Sequence, residues 1–250
     1  MTFGKFQMRL RRIFFSLLGA VCAASMSSAQ EPAHLGVLSI QLDGVITEER
    51  SREVVAQISG IPASVHAIVV VVDSDGGALP DVFAIADALA SAKVATYAYV
   101  KNAVASAVFI VASCDRIVSD RTGVIGGAGV VSRDFLGFSD SLFSAVCEEL
   151  TARLRRYSDQ KQHDSEIFVA MINQRSSLVR AGKKWKSPGQ ILSLTAAEML
   201  DLQLAESKWA SPKAFVDDLQ SRPKSPEATT SDRTPAADAP VAPARGRGWS

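Results

Sequence analysis

Two short segments place residues that could do chemistry at the ends of predicted strands. The first is Asp-Ser-Asp-Gly-Gly at residues 73–77, and the second is Ala-Val-Ala-Ser-Ala-Val at residues 103–108. Paired glycines let a backbone approach a substrate closely and direct N–H groups at a negative oxygen. Ser106, flanked by alanines at a helix start, could present its hydroxyl as a nucleophile. Taken singly, the first segment also fits a plain strand-to-helix turn, and Ser106 also fits a helix N-cap.

The pattern around these segments predicts an α/β fold. Strands at residues 35–42, 67–72 and 94–100 alternate with helices at 47–58, 79–92 and 106–113, and two short strands follow at 116–119 and 122–125. This alternation implies βαβ units in a mainly parallel sheet, whose strands carry sites at their carboxyl ends. The β-branched run at 67–72 is typical of a strand buried on both faces.

The C-terminal part of the domain is predicted to be mainly helical. A helical pattern covers residues 139–180, and a short strand is expected at 190–194. Thr195 and Glu198 predict a capping box that opens a helix at 195–204, and a last helix is expected at 212–219.

The two ends of the chain differ from its middle. Residues 1–29 have a basic head, an apolar run at 13–24 and small residues before position 29, which is the layout of a cleaved signal peptide. The run is shorter than the roughly 20 residues that span a bilayer, so we expect no stable membrane span after cleavage. Arg11 and Arg12 leave Sec and twin-arginine export open. We therefore predict a periplasmic or secreted protein.

The remaining chain is predicted to hold one domain at residues 34–220 and a disordered tail at 221–250, which is rich in Pro, Ala, Ser and Thr. The 250 residues include 27 basic and 26 acidic side chains. Removing the four basic residues of the signal, which has no acid, leaves a mature chain of about −3. This balance argues against a nucleic-acid partner.

Cysteine and histidine usage gives no metal pattern. His34, His66 and His163 lie far apart, and no cysteine spacing predicts a zinc site. Cys114 and Cys147 remain after the signal peptide is removed. In an exported protein they could form a disulfide or stay as two free thiols, and the sequence favours neither alternative.

The ordered set of motifs resembles the ClpP/crotonase-fold serine peptidases, and most of all the signal peptide peptidase A and NfeD-type group. The matching motifs are Ser-Asp-Gly-Gly, Ala-Ser-Ala, Cys-Asp-Arg-Ile, Thr-Gly-Val-Ile-Gly and, further on, Leu-Thr-Ala-Ala-Glu. The resemblance covers residues 37–131 and resumes at 192–198. It implies a ClpP/crotonase-like fold, no cofactor, a peptide or protein substrate with extended apolar segments, and a homo-oligomer.

The same resemblance assigns the site. Ser106 becomes the nucleophile, the N–H groups of Gly77 and Ala107 become the oxyanion hole, and residues 128–131 become a strip that pairs with substrate backbone. Asp75 and Val108 depart from the family, which has proline and glycine at those positions.

The general base is missing from its family position. The helix that carries the base lysine aligns with residues 145–147, and the chain has no lysine between Lys101 and Lys161. Lys161 or His163 could supply a base if the fold brings either to the hydroxyl, although the polar segment around them also fits a solvated helix face.

Two functions therefore stay open from sequence. One is an exported serine endopeptidase that acts through Ser106, with Lys161 as its base. The other is a catalytically inactive pseudoenzyme that serves as a peptide-binding or assembly module. A crotonase-like acyl-CoA function is disfavoured because no nucleotide site is evident and export would separate the protein from the cofactor.

Overall fold

The computed structural model describes residues 36–128 and 140–222. The predicted signal peptide, residues 129–131 of the predicted substrate strip, and residues 223–250 of the predicted tail lie outside these residues.

A mainly parallel sheet forms the centre of the described chain, as predicted. Its strands lie in the order β1-β2-β3-β4, all mutually parallel, and β4 also pairs with an antiparallel strand β7 and a short parallel strand β8. The first elements in chain order are β1 (Gly36–Asp43), α1 (Glu48–Ser59), β2 (Val65–Ser74), α2 (Leu79–Ala90), β3 (Ala95–Val104), α3 (Val108–Ala112) and β4 (Arg116–Gly126).

Both faces of the sheet are covered, which explains the continuous β-branched run in β2. Ile68, Val70 and Val72 join the main core beneath α1 and α2. Val69 and Val71 point to the opposite face, where they pack with Phe215, Leu219 and neighbouring aromatic residues. Because successive side chains of a strand alternate between faces, a strand covered on both sides needs no polar positions.

β4 corrects one detail of the prediction. Residues 116–119 and 122–125 were expected as two short strands, but Arg116–Gly126 is a single strand. It pairs with β3 in two blocks separated by a register shift between Val100 and Asn102. The polar residues between the blocks mark this irregularity rather than a turn.

The C-terminal part contains more short elements than the sequence predicts. They are α4 (Asp140–Gln160), α5 (Ser165–Ile172), β5 (Leu178–Arg180), β6 (Lys183–Lys186), β7 (Ser193–Thr195), α6 (Ala196–Asp201), β8 (Lys208–Trp209) and α7 (Pro212–Ser221). The predicted helical region at 139–180 therefore breaks in two, where Gln162 adopts a φ of 62° and Asp164 caps α5. The predicted capping box of Thr195 and Glu198 is confirmed.

The β5–β6 hairpin was not predicted. Its turn is Ala181-Gly182, with φ of 50° and 76°, which is the paired positive φ of a tight hairpin turn. Alanine is an uncommon residue for that conformation, so the sequence gives little sign of the turn.

Two further observations bear on the sequence expectations. Cys114 and Cys147 are both free thiols, so they do not pair with each other. None of the helices in the described ranges is both long enough and apolar enough to span a bilayer.

Candidate functional site

Ser106 lies in a sharp turn that joins β3 to α3. The turn is a short 3₁₀ helix at Ala105–Ala107, and Ala105 adopts a φ of 49°. A non-glycine residue at positive φ costs on the order of 1–2 kcal/mol, so the surrounding structure must hold this turn in place. Ser106 is half-buried, whereas Ala107 and the residues of α3 are buried.

The Ser106 hydroxyl is bound to the backbone of Gly77 in both directions. Gly77 N–H donates to Ser106 Oγ at 2.9 Å, and Ser106 Oγ donates to the Gly77 carbonyl oxygen at 2.9 Å. The hydroxyl makes no N-cap hydrogen bond to the helix that follows. The structure therefore brings Ser106 and Gly77 together, and the N-cap interpretation of Ser106 is wrong.

Gly76 is required by its close approach to the Ser106 turn. A Cβ at position 76 would lie 2.4 Å from Ser106 Oγ and 2.9 Å from Ser106 N, and Gly76 has a φ of 91°. Only glycine accepts both the conformation and the contact.

Ile46 and Ser74 hold the glycine loop from its other side. Ile46 N–H donates to the Gly76 carbonyl at 2.9 Å, and a Cβ on Gly77 would lie 2.2 Å from the Ile46 carbonyl oxygen. Gly76 N–H donates to Ser74 Oγ at 3.0 Å. Sequence reasoning missed Ile46, because its role comes from a contact between two loops that no local pattern signals.

One predicted oxyanion donor, the N–H of Gly77, is already bonded to the Ser106 hydroxyl. Its N–H binds Ser106 Oγ, so a substrate oxygen must displace that hydroxyl to use the donor. Ala107 N lies beside Gly76, because a Cβ built on Gly76 would be 3.3 Å from this nitrogen. The two predicted donors thus flank the same turn.

Asp75 and Val108, the two residues at which the motifs depart from the peptidases that they resemble, have clear positions. Asp75 Oδ1 accepts a hydrogen bond from Asn102 Nδ2 at 2.8 Å, so β3 anchors this carboxylate beside the glycine loop. Val108 is fully buried in the main core, where its side chain fills space at the start of α3.

Lys161 lies at the opposite edge of the sheet from Ser106. Lys161 Nζ pairs with Asp115 Oδ1 at 2.9 Å, and its side chain is only 6% exposed. Asp115 also accepts from Thr96 N at 2.8 Å and Thr96 Oγ1 at 2.7 Å. Thr96 is at the amino end of β3, whereas Ser106 follows its carboxyl end, about 25 Å away at 3.3 Å per residue. The structure therefore does not bring Lys161 to Ser106 as its base.

The Lys161–Asp115 pair is a stable ion pair. Burial opposes the charge of Asp115, yet the hydrogen bonds from Lys161 and Thr96 hold the pKa of this carboxyl below its ordinary value. Its hydrogen bond to Asp115 holds the Lys161 ammonium at this edge of the sheet, away from Ser106.

The other predicted base, His163, and Lys101, the lysine that precedes Ser106 in the chain, each have their own partners. His163 Nε2 lies 2.8 Å from the Cys114 carbonyl oxygen, at the same edge as Lys161. Lys101 bonds Asp73, which raises the pKa of the lysine, whereas a lysine base needs a lowered one. Cys147, in the stretch of α4 where the resemblance predicts the base, is a half-buried thiol.

Comparison with known proteins identifies the fold. No protein-family model matches the chain, and no curated protein matches it. Among solved structures, a serine-to-alanine mutant of the membrane-bound stomatin-specific protease 1510-N is 18% identical, with a TM-score of 0.59, and the match covers 73% of this chain and 83% of that one. ClpP1 from Listeria monocytogenes is 12% identical, with a TM-score of 0.51, and the match covers 71% of this chain and 94% of that one. The fold is ClpP-like.

A second 1510-N structure holds a ligand. It is a lysine-to-alanine mutant in complex with a substrate peptide, 18% identical with a TM-score of 0.57, and the match covers 73% of this chain and 79% of that one. The ClpP-like fold predicted from the motifs is thus confirmed, whereas the closer relation to the NfeD-type and signal peptide peptidase A group stays a prediction.

We expect stability to fall below about pH 6.5 because of His163. Burial is the main cause that lowers the pKa of His163, and the charge of Lys161 lowers it further. The hydrogen bond with Cys114 and the charges of Asp115 and Glu206 raise this pKa, but the net shift is downward. The unfolded chain, with a histidine pKa of about 6.5, takes up the proton first as the pH falls, so this contribution is present above that pH and lost below it.

Urea unfolding on the two sides of this transition measures the effect. His163→Gln should flatten the pH dependence between about pH 7.5 and about pH 5.5, and the matched His66→Gln variant should retain it. An equal slope in the His163→Gln variant and in the unmodified protein would contradict the assignment.

Proposed function

We propose that this protein binds extended peptide segments at the Ser106 turn and does not hydrolyse them. The observation that carries the proposal is the Ser106 hydroxyl, which donates to the Gly77 carbonyl instead of to a base. The ClpP-like fold, which in the 1510-N complex accompanies a substrate peptide, supports a peptide as the ligand.

The absence of hydrolysis follows from proton chemistry. A serine hydroxyl becomes a competent nucleophile only when a base accepts its proton. Lys161 and His163 lie at the far edge of the sheet, and the sequence contains no lysine between Lys101 and Lys161. The Gly77 carbonyl that receives the Ser106 hydrogen is too weak a base to remove it.

Peptide recognition uses the backbone groups that flank Ser106. The Gly77 N–H and carbonyl are paired with one hydroxyl, which rotates about a single side-chain bond and so can give way to a peptide carbonyl. Ala128 ends the described part of the strip that we propose pairs with an extended substrate backbone. Export through the signal at residues 1–29 and assembly into a homo-oligomer belong to the same proposal.

A serine endopeptidase is the second candidate. The observation that favours it is the positive φ of Ala105, because strained backbone is commonly kept at sites where it positions a reacting group. In that function Ser106 Oγ bonds to the carbonyl carbon of a peptide, the hydroxyl proton passes to a water molecule, and Gly77 N–H stabilises the oxyanion that forms.

Fluorophosphonate labelling beside a binding assay separates the two functions. We expect no Ser106-dependent adduct on the purified protein and no cleavage of fluorescein-labelled β-casein, an unfolded apolar polypeptide. The same casein should bind by fluorescence anisotropy. Ser106→Ala should bind at least as tightly, because its Gly77 N–H no longer has a competing hydroxyl.

Ser39→Ala, an exposed serine on β1, serves as the control and should behave like the unmodified protein. An adduct that is lost in Ser106→Ala but kept in Ser39→Ala would establish the endopeptidase. Absence of casein binding would overturn the peptide-binding module.

A further inference from the structure

A cavity of about 550 Å³ lies between α4 and the loop that follows α5. Cys147, Thr151 and Arg155 line it from α4, and Asn173, Gln174 and Arg175 line it from the loop. Neither Ser106 nor the glycine loop beside it contributes to the lining. The volume falls within the range of pockets that hold small ligands or a few residues of peptide.

A buried ammonium group fixes the loop wall of this cavity. Lys186 is 2% exposed, and its Nζ donates to Asn173 O at 2.7 Å, Ser176 O at 2.7 Å and Ser176 Oγ at 3.1 Å. The three N–H donors of the Lys186 ammonium thus meet three oxygens, although burial lowers the pKa of this lysine. The loop is tied to β6 at both of its ends.

The carbonyl oxygens of this loop accept hydrogen bonds from the protein itself, whereas several of its N–H donors stay available to a ligand. Besides the two carbonyls on Lys186, the Gln174 carbonyl accepts from Gly189 N–H at 2.8 Å. Asn173 Oδ1 accepts from Arg175 N–H at 2.9 Å, which leaves the amide N–H₂ of that asparagine available. The exposed side chains of Gln174 and Arg175 add further donors at the same wall.

The lining leaves one guanidinium group, that of Arg175, available to bind an anion. Two guanidinium groups, Arg155 and Arg175, face one carboxylate, Glu148. Arg155 is paired with Glu166 at 2.6 Å, outside the lining. Arg175 forms no ion pair with any carboxylate within residues 36–128 and 140–222. A guanidinium group without an ion-pair partner can donate two parallel N–H bonds to the two oxygens of a carboxylate group.

We propose that this cavity binds the C-terminal carboxylate of an extended peptide, with Arg175 as the partner of the carboxylate. The inference rests on the proposed peptide-binding function and adds a second contact point to it. The free amide N–H₂ of Asn173 can donate to a peptide carbonyl next to the terminus, and the amide of Gln174 can pair with both the N–H and the C=O of a peptide backbone. A peptide with an amidated terminus lacks the charge that Arg175 recognises.

Cys147 provides a local reporter of occupancy. It lines the cavity and is half-buried, whereas Cys114 is fully buried. In the full chain with Cys22→Ser, modification by a water-soluble disulfide reagent therefore reports on Cys147. The probes are an N-acetylated, fully randomised pentapeptide library with a free C-terminal carboxylate, the same library amidated, and butyrate as a small carboxylate.

We expect the free-acid library to slow Cys147 modification about fivefold or more, because a bound peptide shields the thiol. The amidated library and butyrate should leave the rate unchanged. Arg175→Gln should abolish the protection, whereas Arg52→Gln, an arginine on α1 whose side chain is 74% exposed, should keep it.

Three results would overturn the inference: equal protection by acid and amide, protection that survives Arg175→Gln, or butyrate that protects as well as the peptide. Casein binding measured on the same Arg175→Gln protein keeps the two proposals apart. If casein binds but the free-acid library gives no protection, the peptide-binding function stands and the carboxylate site is wrong. If neither occurs, both are wrong.

Discussion

Asp115→Ala is expected to destabilise the protein by about 2–3 kcal/mol, because it leaves the buried Lys161 ammonium without its carboxylate. Removing one partner of a fully buried pair costs about 3–5 kcal/mol, and the 40% exposure of the Asp115 side chain lets water recover part of that loss. The change also removes the carboxylate oxygen that accepts hydrogen bonds from Thr96 N and Thr96 Oγ1. Chemical unfolding of the variant and the unmodified protein measures the difference.

The double variant Asp115→Ala/Lys161→Met provides the control. If the loss comes from an uncompensated ammonium, removing that ammonium recovers part of it, and the two single changes are not additive. Additive effects would contradict the ion-pair explanation.

The Lys161→Met single variant also tests function. Because Lys161 pairs with Asp115 beside Thr96, and Thr96 lies about 25 Å from the Ser106 turn at 3.3 Å per residue of β3, this change should lower stability and leave casein binding intact. Loss of casein binding without a loss of stability would instead show that Lys161 acts at the Ser106 turn.

Gly76→Ala is expected to cost about 3 kcal/mol and to abolish casein binding. The backbone strain at a φ of 91° accounts for on the order of 1–2 kcal/mol. The remainder comes from overpacking, because the new Cβ lies 2.9 Å from Ser106 N, a backbone atom that cannot move without displacing the whole turn. Unfolding measurements and the anisotropy assay report both effects.

Gly44→Ala is the matched control for this change. Gly44 also has a positive φ, 67°, but a Cβ there meets no atom within 4 Å. Gly44→Ala should therefore lose only about 1 kcal/mol of stability, from backbone strain without a steric clash, and it should keep casein binding. Equal losses in the two variants would mean that contact with Ser106 contributes nothing to the requirement for Gly76.

A Gly76→Ala/Ser106→Ala variant separates the two parts of the clash. It removes the 2.4 Å contact with Ser106 Oγ and leaves the contact with Ser106 N. We expect only partial recovery of stability.

The ClpP-like fold could be predicted because each part of it leaves a local pattern. The β-branched run of β2 requires burial on both faces, and the alternation of strands and helices requires parallel crossovers. The Thr195–Glu198 capping box is a contact between residues three apart, so spacing alone predicts it. The β5–β6 hairpin lacks such a pattern, because Lys186 stabilises it through oxygens that lie ten and thirteen residues earlier in the chain.

The sequence by itself determined the elements that position Ser106 and the glycine loop, and it determined that no lysine lies between Lys101 and Lys161. Only the tertiary structure decided where Lys161 goes. A lysine 55 residues after Ser106 can reach either edge of the sheet, and the carboxylate of Asp115 holds it at the far one. The same holds for the Ser106 hydroxyl, whose partners at Gly77 are backbone atoms that carry no sequence signature.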